Sequence, residues 1–161
     1  MEKLLDITLP VAILSGNSFI YKDRWHYKRY KNFWYGLLAA TVGKCANRAT
    51  TKRKLIIKKL GTRKMDEVNF FSGCKPIEDF FVDYGWIVDD AEEYCEIERA
   101  QVLVQRKEAG TRLIVIDGKE KVGQVKRHKR TGPQKLGQNS GAKKTGLWSM
   151  DDVKKTGLDW S

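Results

Sequence analysis

Histidine, cysteine and proline are scarce in this chain of 161 residues, with two, three and three copies respectively. His26 and His128 lie far apart in sequence, so neither a histidine metal cluster nor a histidine base beside a nucleophile is expected. Cys45, Cys74 and Cys95 are odd in number and show no CxxC spacing, which argues against a disulfide framework and against a zinc site. No GxxxxGK loop is present, so a P-loop nucleotide hydrolase is not expected. Long apolar runs are missing as well. The longest clean stretch, Gly36 to Val42, falls well short of the ~20 residues a membrane helix needs. The opening MEKLLDITLP lacks a secretory cleavage pattern. The expectation is a cytoplasmic protein with no membrane contact and no organic cofactor.

Charge is abundant and unevenly placed. The formal net charge is +11. From Lys22 to Lys64 there are 14 Lys and Arg against Asp23 alone, or +13. From Asp66 to Glu98 there are 11 acids against Lys75, or −10. From Lys119 to Ser161, 11 bases and 4 acids give +7. The plain reading is a basic protein whose patches have no partner. The sharper one is a protein that grips a polyanion with its basic parts and gathers carboxylates elsewhere. Carboxylates repel phosphate unless a cation neutralises them, and a divalent metal is the usual one. A metal-dependent nuclease is therefore the first enzyme class to consider.

Along the chain, Leu4–Leu9 reads as a strand ended by Pro10, and Val11–Tyr21 as strand and loop turning at Ser15-Gly16-Asn17. A long helix is expected from Arg24 to Asn47, with Asp23 as its cap. Tyr30, Phe33, Trp34, Leu37, Leu38, Thr41 and Cys45 supply its apolar stripe, and Lys28, Arg29, Lys31, Lys44 and Arg48 a basic face. Lys54–Leu60 reads as a strand, Thr62–Phe71 as a loop, and the segment after Ser72 as a helix capped by that serine. Pro76 would then lie in its first turn, and Gly85 would end it. Ile97–Gln105 and Arg112–Ile116 read as a hairpin. The sum is an α+β domain, with a small mixed β-sheet packed with helices, over residues 1–118. Residues 119–161 form a basic, Gly- and Lys-rich tail that repeats KKTGL and carries Trp148 and Trp160.

The chemistry-bearing residues are Asp66, Glu67, Asn69, Lys75, Asp79, Asp89 and Asp90. Phosphodiester hydrolysis needs an attacking water, charge neutralisation on the phosphate and stabilisation of the leaving oxygen. One or two Mg²⁺ ions held by two or three carboxylates supply all three, and a nearby lysine steadies the phosphate. On spacing alone, such Asp-Asp and Asp-Glu pairs read first as ordinary solvated loop acids.

The segment Met65–Asp90, MDEVNFFSGCKPIEDFFVDYGWIVDD, resembles the active-site region of the RusA-like Holliday junction resolvases. That family shows Asp-x-Asp-Asn, a lysine shortly afterwards, an aspartate in the following helix, then Gly-Phe/Trp-x-x-Asp-Asp. Lys75, Asp79 and Gly85-Trp86-Ile87-Val88-Asp89-Asp90 match the second part with the family's spacing. Leu9-Pro10 followed by Asn17 is similar to its opening strand and loop, and the resemblance spans about residues 4 to 117. Two departures stand out. Asp66-Glu67-Val68-Asn69 puts Val68 at the second carboxylate position, and the interval from Asn69 to Lys75 is about three residues longer than usual.

The resemblance implies a homodimeric, Mg²⁺-dependent endonuclease, with Mn²⁺ able to substitute, that cuts four-way DNA junctions symmetrically in a bacterial or phage-infected cell, close to the nucleoid. It implies Asp66 and Asp90 as metal ligands, Glu67 or Asp89 as the third, and Lys75 near the scissile phosphate. Asn69 shapes the loop or binds a water, and Asp79 is either functional or an ordinary partner of a base. Arg24, Lys28, Arg29, Lys52, Arg53, Lys54, Arg63 and Lys64 would hold the junction arms through phosphates. Phe70 and Phe71 are either a wedge into the branch point or buried packing. Two other readings remain open: a branched-DNA-binding protein of the same fold that cuts weakly or not at all, and an RNA-binding accessory protein using the basic tail.

Overall fold

Period-two alternation in the first segment produces strand β1 (Lys3–Leu9), and Pro10 removes the next ladder donor and ends it. The computed structural model describes residues 2–18 and 24–122. Helix α1 (Arg24–Thr41) follows, then β2 (Arg53–Gly61), α2 (Glu67–Asp83), β3 (Cys95–Leu103) and β4 (Gly110–Ile116), with short 3₁₀ turns at Gly16–Ser18 and Arg106–Glu108. The result is a small α+β domain in which a four-stranded mixed sheet, ordered β1-β4-β2-β3, packs against two helices. β4 runs antiparallel to both β1 and β2, whereas β3 is parallel to β2. Parallel neighbours need a crossover, and α2 provides it.

The hairpin expected over 97–116 does not form. β2 carries the continuous apolar run Leu55-Ile56-Ile57, which stabilises the sheet most when flanked on both sides. β4 therefore pairs with it through Leu113, Ile114 and Val115, while β3 takes the opposite side as an edge strand bearing Glu96 and Glu98. Val104 N–H donates to Gly61 O at 3.0 Å as the chain passes the end of β2.

Leu55 and Ile57 of β2 and Leu113 and Val115 of β4 meet Trp34 and Leu38 of α1 and Phe70, Cys74, Ile77, Phe80 and Phe81 of α2 in one core. Ile56 and Ile114, paired across the ladder, point to the other face of the sheet. Lys31 reaches Asp79 and Tyr35 reaches Asp83 across the same offset of 48 residues, so α1 and α2 run side by side in the same direction.

Three boundaries differ from the sequence reading. α1 ends at Thr41 rather than Asn47 because Val42 and Gly43 N–H both turn back to Leu38 O, with Gly43 at φ +67°. Among residues 11–18 there is a 3₁₀ turn and no strand. α2 begins at Glu67 with Asp66 as its cap. Ser72 lies inside the helix with its hydroxyl on Val68 O, and Pro76 is likewise interior. The end of α2 before Gly85 (φ +77°) is as expected. Val122 N–H donates to Thr50 O and Lys52 N–H to Glu120 O, so backbone pairing continues past residue 118. Asp23, the side chain of Arg24 and the tail from residue 123, with its repeat and both tryptophans, lie outside the described residues. Among the described residues, no helix is long and apolar enough to cross a membrane.

Candidate functional site

The first carboxylate of the expected site is a helix cap. Asp66 has extended backbone angles and accepts Asn69 N–H at 3.0 Å, and the Asn69 side-chain amide donates to its other oxygen. The Asn69 side chain and then its backbone N–H hold the Asp66 carboxyl below the usual aspartate value. Asn69 Oδ1 accepts Asn17 N–H at 3.0 Å, which ties the loop after β1 to the start of α2. The contact is tight: a Cβ at Gly73 would meet Leu14 O at 2.2 Å. Tyr30 Oη bridges the same two segments, accepting from Leu14 N–H at 3.2 Å and donating to Gly73 O at 3.0 Å. Asn17 and Asn69 are thus joined, a contact their sequence separation does not reveal. Glu67 occupies the exposed first turn, where the helix dipole favours an acid.

The second half of the motif gathers around Lys75. Its Nζ donates to Asp90 and lies 3.2 Å from Asp79 Oδ1, and the other oxygen of Asp79 lies 2.7 Å from Lys31 Nζ on α1. Two ammoniums and two carboxylates from α1, α2 and the loop before β3 make one neutral, half-exposed quartet. Partial burial pulls the Lys75 pKa down, but Asp90 and Asp79 together leave it raised. The hydrogen bond from Lys75 is the main reason the Asp90 carboxyl sits low. Asp89 accepts Ala91 N–H at 3.2 Å, and its side chain also lies against the Asp90 carboxyl and helps to hold it low.

No hydrogen bond or ion pair joins these two halves among the described residues. At ~1.5 Å per residue, the unbroken helix places Asp66 about 13 Å along the axis from Lys75. The extra residues between Asn69 and Lys75 are taken up as helix, where the sequence reading has a loop able to fold back. Among the described residues, no three His, Cys, Asp or Glu side chains come together as a metal-holding group. Mg²⁺ demands oxygen ligands in near-octahedral arrangement. The donor set Asp66, Glu67, Asp89 and Asp90 does not fit the ion that the resemblance implies.

Most carboxylates of the acidic block have structural partners. Glu78, only 2% exposed, lies 2.6 Å from Arg99 Nε, and the Arg99 guanidinium lies 5.0 Å from the centre of the Phe71 ring. Asp83 accepts the Tyr35 hydroxyl at 2.7 Å, and Glu96 and Glu98 flank Lys54 at 2.7 and 2.9 Å. Arg99 escaped the sequence reading. Its one signal is position, since β3 alternation turns it inward with Ile97 and Gln101. Gln101 in turn clasps the backbone of Met65, its side-chain amide accepting Met65 N–H at 2.9 Å and donating to Met65 O at 2.8 Å, which fixes the approach to Asp66.

Two of the expected phosphate contacts are engaged elsewhere. Arg53 is buried, donating to Asp117 Oδ1 at 3.0 Å and to Trp86 O at 2.7 Å, and Lys54 belongs to Glu96 and Glu98. Lys28, Arg29, Lys52, Arg63 and Lys64, with Lys44, take part in no ion pair among the described residues. Phe70 is core, whereas Phe71 is 44% exposed and Val68, one turn before it, 76% exposed. This apolar ridge stands at the same end of the sheet as Arg63 and Lys64, which lead into α2, and as Arg106 and Lys107, which follow β3.

The chain matches no protein-family model and no curated protein sequence.

Proposed function

We propose that this chain binds branched DNA without needing a divalent cation, gripping four-way junctions through phosphates rather than cutting them. The observation that carries this reading is that the Asp66 carboxylate caps α2 on Asn69 while Lys75 takes up the Asp90 carboxylate, so each is already engaged. Lys28, Arg29, Lys44, Lys52, Arg63 and Lys64, among the bases outside ion pairs in the described residues, supply sequence-independent attraction to phosphate. Phe71 and Val68, exposed one turn apart beside Arg63 and Lys64, suit an apolar wedge against the unstacked pairs at a branch point. Two copies would match the two-fold symmetry of a junction.

The resolvase reading keeps one observation in its favour: Lys75, Asp79 and Asp90 do converge, as the motif spacing implies.

The test is fluorescence anisotropy with a labelled four-way junction, a matched linear duplex and a matched RNA duplex, in EDTA and in Mg²⁺, for the wild-type chain and for Phe71→Ala. The expected result is at least tenfold tighter binding to the junction than to either duplex, unchanged by EDTA. Phe71→Ala should lower junction affinity five- to tenfold and leave affinity for the linear duplex alone. Preference for the RNA would favour the accessory-protein reading, and equal affinity for all three would defeat junction selectivity.

A further inference from the structure

The Lys75 quartet has a consequence that goes beyond DNA binding. Lys75 Nζ sits between Asp79 Oδ1 and Asp90 Oδ2, in contact with both, and Lys31 Nζ holds the second oxygen of Asp79 at 2.7 Å. An ammonium is a compact point charge with three donors, so it bridges two carboxylates much as a small cation does. We infer that the Lys75 ammonium is the resident cation of the Asp79–Asp90 pair, and that its presence bars a divalent metal from this site.

Charge and ligand number both support this. With both lysines in place the quartet is neutral, and a divalent ion would add two uncompensated positive charges in a half-exposed setting. It would also lack a ligand set, because no group of three acids able to hold a metal forms among the described residues. If Lys75 is replaced by a neutral side chain, Asp79, Asp90 and Lys31 sum to −1 and the seat between the two carboxylates lies open. A divalent ion then brings the sum to +1, against +2 with Lys75 in place, and occupies the seat that the ammonium held. Lys75 also ties the loop before β3 to the middle of α2, so this covalently tethered cation does structural duty that ambient Mg²⁺ cannot modulate.

The experiment is a set of thermal melts of the full chain in EDTA and in MnCl₂, with free Mn²⁺ counted by its electron paramagnetic resonance signal. The wild-type chain should melt at the same temperature in both conditions and take up no Mn²⁺. Lys75→Met should melt lower than wild type in EDTA. With Mn²⁺ at ten times its Kd it should recover roughly 3–6 °C, and the recovery should disappear when Asp90→Asn is added. Lys75→Gln, which retains a polar end, should behave like Lys75→Met. A saturable Mn²⁺ response in the wild-type chain would overturn the inference, since the site would then accept metal with Lys75 present. It would also be overturned if neither variant responds to Mn²⁺, whether folded or unfolded in EDTA. None of these readouts involves DNA, so a failure of junction binding and a failure of this inference are separable.

Discussion

Raising monovalent salt from about 50 to about 200 mM is expected to weaken junction binding by ~10³-fold. A protein that neutralises Z phosphates on duplex DNA releases counterions, and log K falls with log salt with a slope of about −0.9Z. Lys28, Arg29, Lys44, Lys52, Arg63 and Lys64 are outside the ion pairs of the described residues, whereas the carboxylates of the acidic block are largely paired or capped. Those bases are not neutralised from within. If all six engage phosphate the slope is about −5, and a fourfold rise in salt gives the stated loss. Arg63→Ala with Lys64→Ala should make the slope shallower by about 2, equally for junction and linear duplex, because phosphate contacts carry no structural preference. A wild-type slope near −1 would mean that this basic surface does not hold DNA.

The largest expected loss of stability is at Arg99. Replacing it with Met removes the partner of Glu78, which is 2% exposed on the inner side of α2. Breaking a buried ion pair from one side strands a charge out of water and costs about 3–5 kcal/mol. Glu78→Leu together with Arg99→Met should recover most of that loss, because an apolar pair of similar volume needs no desolvated charge. Urea titrations of the two variants against wild type measure both effects. A loss below about 1 kcal/mol for Arg99→Met would show that Glu78 finds water or another donor despite its burial.

Where side-chain period and burial agree, the fold is legible in sequence. The stripe Tyr30, Trp34 and Leu38 on α1 and the face Ile77, Phe80 and Phe81 on α2 are core as their spacing predicts. So is the mixed sheet. What the residues along the chain do not reveal is strand order, because it depends on which strand the others must cover. β2 with Leu55-Ile56-Ile57 takes a central place and separates β3 from β4, so neighbours in sequence are not neighbours in the sheet.

The start of α2 is misread for a local reason. VNFFSGC contains β-branched, aromatic and glycine residues that individually disfavour helix, yet Phe70, Cys74 and Ile77 fall on one buried stripe and Asp66 caps the first turn. Packing outweighs propensity there. That single displacement also bears on the site, since it makes Asp66 a helix cap instead of a loop acid. The pairing of Asp79 with Lys75 follows from their four-residue spacing on a helix. Its second partner, Lys31, comes from another element and is invisible until the two helices are laid side by side.

The most direct test of the separated carboxylates is a denaturing gel of a 5′-labelled four-way junction, bound to saturation and held in Mg²⁺ or Mn²⁺. The expected result is intact strands in samples whose native gel shows the junction fully shifted. Paired, symmetric cuts that need the metal and vanish in Asp90→Asn would contradict it, and would mean that Asp66 and Asp90 reach a common phosphate after all.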